Sequence, residues 1–145
     1  MAFQFALVAV LRVRESVERR EERALQRIQL DMARTARQIE EMNAAIAKAH
    51  EAREQALKQA MPGGELRAML WQVEALVEVK KAFMVTLQGL EELRLKQMKV
   101  YQAAHRDHET MIDLFNQQRD VYEVEQVRAE QKYLDDIFMA RRHRA

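Results

Sequence analysis

A chain of 145 residues with three glycines, one proline and no cysteine has too little turn punctuation for a β-sandwich or an α/β fold, and no thiol for a disulfide, a thiolate metal site or a cysteine nucleophile. Charged residues make up 32%, and 24 basic side chains against 23 acidic ones leave a formal net charge of +1. Their signs interleave along the chain, which reads as solvated helix surface and argues against nucleic-acid binding, where a basic excess gathers on one face or segment.

The uncharged opening run, Met1 to Leu11, is too short to span a bilayer. It has no positive leader and no cleavage site, so it does not read as a signal peptide, and a cytoplasmic protein is expected. A first helix is predicted over about residues 3–60, roughly 85 Å at 1.5 Å per residue. Met61-Pro62-Gly63-Gly64 is the one strong break: proline lacks an amide hydrogen and the glycines can supply φ > 0. With the turn at 61–64, a second helix is predicted over about 65–142, roughly 115 Å long. Gly89 lies inside it and costs about 1 kcal/mol without ending it. Glu15–Arg19, Glu54–Lys58 and Glu92–Lys96 stand at i, i+4 with the acid first, the better orientation.

Apolar spacing decides how the helices pack. In the second helix Leu66, Leu70, Val73, Val77, Met84, Leu87, Met98, Tyr101, Ile112, Phe115, Tyr122, Ala129 and Tyr133 fall on one 4-3 series, which also passes through Lys80, Glu91, Arg94, His105, His108, Arg119 and Gln126. In the first, Ile28, Met32, Thr35, Ile39, Met42, Ile46, Ala49, Ala56 and Ala60 follow a similar series, with Arg53 as its exception. An upstream run through Leu7, Val10, Arg14, Val17, Glu21 and Ala24 joins by a four-residue step at Ile28–Met32, a stutter that locally unwinds a supercoil. The fold class is therefore all-α: two long helices forming an antiparallel coiled-coil hairpin in a single domain. A compact three- or four-helix bundle would need further turns near Gly89 or Asn116, where turn signals are poor.

Centred on Pro62-Gly63, such a reversal pairs residues whose numbers sum to roughly 126. Phe3 then faces about Glu123, and about 123–145 overhangs the first helix. The overhang carries Val124, Val127, Tyr133, Leu134, Ile137 and Phe138. A lone helix needs its apolar stripe covered, so this segment is expected to fray alone and be ordered by a partner; the alternative is a flexible tail. Nearer the turn, Leu66 to Leu90 is more apolar than a two-helix seam requires, with Trp71, Ala75, Ala82 and Val85 on the far face. Patches of this kind mark interaction sites.

No catalytic constellation emerges. Ser16 is the lone serine and has no base near it in sequence, and Gly63-Gly64 is a bare turn rather than a phosphate cradle. No enzyme, cofactor or metal is expected. His105, His108 and Glu109 have a spacing that can chelate zinc on a helix. Their position on the seam series, opposite about Glu21 and Glu18, reads more simply as a polar layer that fixes register. Arginines crowd the first helix at Arg12, Arg14, Arg19, Arg20, Arg23 and Arg27, and Arg141, Arg142, His143 and Arg144 close the chain. They are either solvated surface or an electrostatic docking face for an acidic opening.

The ends of the chain carry a resemblance. Phe3-Gln4-Phe5-Ala6-Leu7, then Val10-Leu11-Arg12-Val13-Arg14 and Glu18, resemble the opening of the FliJ family of flagellar type III export proteins. Glu130-Gln131-Lys132-Tyr133-Leu134-Asp135-Asp136, followed by Arg141 and Arg142, resembles that family's closing segment, with Asp136 where the family pattern has glutamate. The resemblance implies a non-enzymatic coiled-coil stalk of the flagellar export apparatus. The ends bearing the termini would enter the hexameric export ATPase. The stalk would also contact the cytoplasmic region of the membrane export-gate protein and export chaperones. It would lie at the cytoplasmic face of the inner membrane, held there only through partners. On this reading Arg12, Arg14, Tyr133, Leu134, Ile137, Phe138, Arg141 and Arg142 dock into the ATPase, and Trp71, Ala75, Leu76 and Phe83 meet the gate or a chaperone. A stalk of a virulence-type III secretion system and a generic dimeric coiled-coil scaffold share the same physics.

Overall fold

The computed structural model describes residues 2–144, and its described residues hold two helices and no strand: α1, Val8–Leu57, and α2, Gly63–Arg144. By contacts the chain divides into two units. One runs from Glu22 to Val100; the other combines the residues up to Glu21 with those from Tyr101 onward.

The Glu22–Val100 unit contains the chain reversal. Its break falls at 58–62, a few residues before the predicted 61–64, and neither glycine forms it. Gly63 and Gly64 sit inside the first turn of α2 without positive φ. The reversal is built by proline. The Pro62 carbonyl accepts from the amides of Glu65 (3.1 Å) and Leu66 (3.4 Å) and so starts α2, while the proline ring pushes Met61 away from helical φ and ψ. On the other side Lys58 donates to the Gln55 carbonyl and Gln59 to that of Ala56, both at 3.2 Å. These i to i−3 bonds tighten and close the last turn of α1.

Across this unit most of the 4-3 series forms the interface, with Leu25 buried beside Ala24 and the series members Leu70 and Met84 exposed. Leu25, Thr35 and Ala56 of α1 and Val73 of α2 are buried. Ile28, Met32, Ile39, Met42, Ile46 and Ala49 are half-buried, as are Leu66, Val77, Leu87 and Met98 facing them. Two helices cannot enclose a large side chain on all sides, and no described side chain is fully sealed from solvent. Two polar positions on the seam bond within their own helix. The Thr35 hydroxyl donates to the Asp31 carbonyl at 2.9 Å. Arg94 forks onto Glu91, Nε to Oε2 at 3.1 Å and Nη2 to Oε1 at 2.6 Å.

In the other unit the helix begins at Val8, not near Phe3 as predicted. Val8 N donates to the Phe5 carbonyl at 3.2 Å and Leu11 N to that of Leu7 at 2.9 Å. Residues 2–5 stay outside the helix, and Phe5 is buried.

A methyl group at Gly89 would meet no atom within 4 Å, and its φ is not positive. Gly89→Ala therefore removes unfolded-state freedom at no steric cost and is expected to stabilise the chain by about 0.5–1 kcal/mol. Urea unfolding followed by circular dichroism measures this; a destabilised variant would contradict the geometry at this position.

Candidate functional site

The unit formed by the two ends of the chain holds most of the side chains with chemical interest. Its first feature is an aromatic cluster. Phe3 and Phe5 lie just outside the helix, and both rings pack onto α2. Phe3 meets Phe115 edge-on at 5.4 Å and Tyr122 at 5.4 Å, while Phe5 meets Phe115 at 5.3 Å with the rings perpendicular. Arg119 caps Phe115, its guanidinium carbon 5.9 Å from the ring centre. Edge-to-face contacts of this kind add to the burial of the rings. The pattern Phe-x-Phe just before a helical period is the sequence signal for this anchor.

About three turns into α1, Glu18 receives two histidines of α2. His105 Nδ1 donates to Oε1 at 3.0 Å, and His108 Nδ1 donates to Oε2. The other nitrogen of His105, Nε2, lies 3.0 Å from Glu109 Oε1. An imidazole with a carboxylate at each nitrogen donates from both only when protonated. Accordingly His105 is raised above its ordinary value of 6.5, chiefly by its hydrogen bond to Glu18, which outweighs the desolvation that opposes it, with the charges of Glu109 and Glu18 adding to the rise. Glu18 is lowered below its ordinary 4.5, chiefly by the hydrogen bond from His105 and then by that from His108. His105 thus faces Glu18 rather than Glu21. The reversal centres near Ala60 instead of Pro62-Gly63, and His105 pairs a few residues earlier than the sequence arithmetic places it, while His108 meets Glu18 as that arithmetic has it. Alongside, Arg14 Nη1 reaches Asp107 Oδ2 at 3.3 Å. Among the described residues no group of three or more His, Asp or Glu is arranged to hold a metal ion.

Beyond this layer α2 is uncovered. From Glu123 to Arg144 every residue is exposed except Ile137, which is half-buried. Tyr133, Leu134 and Phe138 are each about two-thirds exposed. The last turn carries Arg141, Arg142, His143 and Arg144, where cations suit the helix dipole. Of the expected docking residues Arg12 is exposed, whereas Arg14 is tied to Asp107.

In the Glu22–Val100 unit the four expected gate or chaperone residues do not share one face. Trp71 is 62% exposed and Ala75 is exposed with it. Leu76 and Phe83 are half-buried, about 100° or more around the helix from Trp71 at 3.6 residues per turn. Leu76 instead lines a groove between the helices with Ala45, Lys48, Ala49, Met69 and Gln72. A more apolar groove, which the sequence reading did not isolate, runs beside Met32, Ile39, Met84, Leu87, Gln88 and Glu91. No helix among the described residues is long and apolar enough to cross a membrane.

Residues 3–145 match the family model described as flagellar FliJ protein. No curated protein and no solved structure matches the chain.

The Glu18 layer makes stability pH-dependent in a defined direction. The raised His105 contributes fully below pH 6.5, and its share is lost as pH rises through its folded-state value. The lowered Glu18 contributes fully above pH 4.5, and its share is lost as pH falls through its own folded-state value. The melting temperature of the wild type is therefore expected to exceed that of Glu18→Gln most between pH 4.5 and 6.5, with the gap narrowing in mildly alkaline buffer. A gap that is constant with pH would show that the layer carries no charge.

Proposed function

The chain belongs to the flagellar FliJ protein family and is a component of the flagellar export apparatus; we propose that it acts there as a non-enzymatic stalk that docks into the hexameric export ATPase and links it to the export gate and to export chaperones. What supports docking is the uncovered end of α2, where Tyr133, Leu134, Ile137 and Phe138 precede a basic last turn. The apolar side chains supply the driving force. A leucine or phenylalanine taken fully out of water contributes about 1.5–3 kcal/mol. Arg141, Arg142 and the exposed Arg12 supply attraction to an acidic opening and bias the approach. Arg14 joins them only by leaving Asp107, which costs little because the pair is exposed. The neighbouring helix pair, anchored by Phe3 and Phe5 on Phe115, stiffens the segment that enters. Residence at the cytoplasmic face of the inner membrane follows from these partners, with no membrane contact of the chain itself.

The gate- and chaperone-facing reading rests on Trp71, whose exposure of 62% leaves a large indole in water. Ala75 flanks it, and Leu76 and Phe83 would join only a partner that wraps around α2.

Two measurements follow. In a pull-down with the export ATPase, a truncation after Tyr122 is expected to bind at least about tenfold more weakly than the intact chain, a loss of ~1.4 kcal/mol or more; equal capture defeats the docking reading. Trp71→Ala is expected to keep ATPase binding and lose affinity for the gate's cytoplasmic region or for a chaperone. Retention of every partner at wild-type affinity removes Trp71 from the surface.

A further inference from the structure

The free end of α2 carries a second stripe that is not the continuation of the seam. Asp120, Val124, Val127, Gln131, Leu134, Phe138 and Arg141 recur at 4-3-4-3-4-3 spacing. The seam series, Phe115, Arg119, Tyr122, Gln126, Ala129 and Tyr133, lies about 130° away around the helix at 3.6 residues per turn. The four apolar members are exposed by 49% at Val124, 55% at Val127, 62% at Leu134 and 66% at Phe138. A shallow groove follows the first half of the stripe, between Asp120, Glu123, Val124, Val127, Arg128 and Gln131.

This stripe is its own complement when reversed. Turned end for end about Gln131, it sets Asp120 opposite Arg141, Val124 opposite Phe138 and Val127 opposite Leu134. Gln131 meets itself, and its amide offers both donor and acceptor. On the flank, Arg128 comes beside Asp135. A parallel alignment would instead oppose Asp120 to Asp120 and Arg141 to Arg141, which repel. We propose that the free end of α2 pairs with the same segment of a second copy of this chain, antiparallel about a two-fold axis at Gln131. The contact is isologous, so one patch closes the assembly as a dimer, and the polar residue on the axis fixes register as single polar seam residues do. Pairing from Asp120 to Arg141 spans about 33 Å at 1.5 Å per residue. Its seven stripe residues a side fall short of the roughly 20–30 residues a side of a stable protein interface, so the dimer is concentration-dependent. A foreign helix would have no reason to match a sequence that is complementary to its own reverse. Pairing hides Leu134, Phe138 and Arg141, so the paired and the ATPase-docked states of this segment exclude one another.

The absence of cysteine allows a direct test on the full chain with single cysteines and a mild thiol oxidant. Gln131→Cys is expected to give a disulfide-linked dimer. Val124→Cys alone and Phe138→Cys alone are expected to remain uncrosslinked, while a mixture of the two crosslinks. Light scattering of the wild type is expected to rise towards twice the 17.1 kDa monomer mass with concentration. Asp120→Arg is expected to lower that rise, and adding Arg141→Asp to restore it. Equal self-crosslinking at the three positions, or a monomer mass at every concentration, overturns the proposal; the latter outcome would leave the face to a foreign partner.

Discussion

Everything in this chain depends on two helices covering each other's apolar stripe. Helices of 50 and 82 residues gain little from propensity alone and are held by packing of an amphipathic face. A two-helix interface is thin. The residues it buries, Leu25, Thr35, Ala56 and Val73 in one unit and Phe5 and Ala104 in the other, are few, and each touches one opposing helix. Under that constraint several polar seam residues find a partner. Thr35 bonds its own helix, Arg94 forks onto Glu91, and Glu18 takes two histidines. The Glu18 layer differs from the other two in crossing between helices, so it carries information about register where they carry none.

The 4-3 series and the single reversal were legible in the sequence because both are local: spacing along one helix, and one proline. The seam residues from Ile28 to Ala56 are where the spacing places them. The exact reversal was less legible, since glycine signals a capacity for positive φ and not its use. Pro62 starts α2 by itself, and Gly63 and Gly64 fall inside the helix. With that shift of a few residues His105 meets Glu18 instead of Glu21, whereas His108 keeps its expected partner Glu18. The start of α1 was misread for a related reason. Phe3 and Phe5 have helix-compatible neighbours, yet they stay outside the helix, and only the position of Phe115 on the other helix makes that the better solution. The expected patch at Trp71, Ala75, Leu76 and Phe83 joined residues by proximity in sequence, whereas the helix turns Leu76 and Phe83 away from Trp71.

The contrast between the covered and uncovered lengths of α2 gives the functional reading its physical content. Up to Tyr122 an aromatic anchor from the chain's beginning holds the helix. Past it, large apolar side chains stay in water. Membership in the FliJ family places the chain in the flagellar export apparatus, and on the proposed reading the exposed side chains would act there by apolar insertion guided by a basic last turn.

An uncovered apolar end is also a hazard, because it invites indiscriminate association. The reversed complementarity of the stripe from Asp120 to Arg141 turns that hazard into a defined alternative. When a fraction of the chain is self-paired, its apparent affinity for any partner using Leu134 and Phe138 falls in proportion to the fraction left free. A contact of about 33 Å keeps that cost small at low concentration and lets it grow as copies accumulate without partners. The charges at the two ends of the stripe then do separate work. Asp120 and Arg141 select the antiparallel self-pair against the parallel one, while Arg142 and Arg144, outside the paired stretch, remain available to steer the same end toward an acidic opening. A single helix face can therefore hold the chain in reserve and release it, provided docking buries more of Leu134, Ile137 and Phe138 than self-pairing does; Ile137, which lies off the stripe, is the residue that only docking can cover.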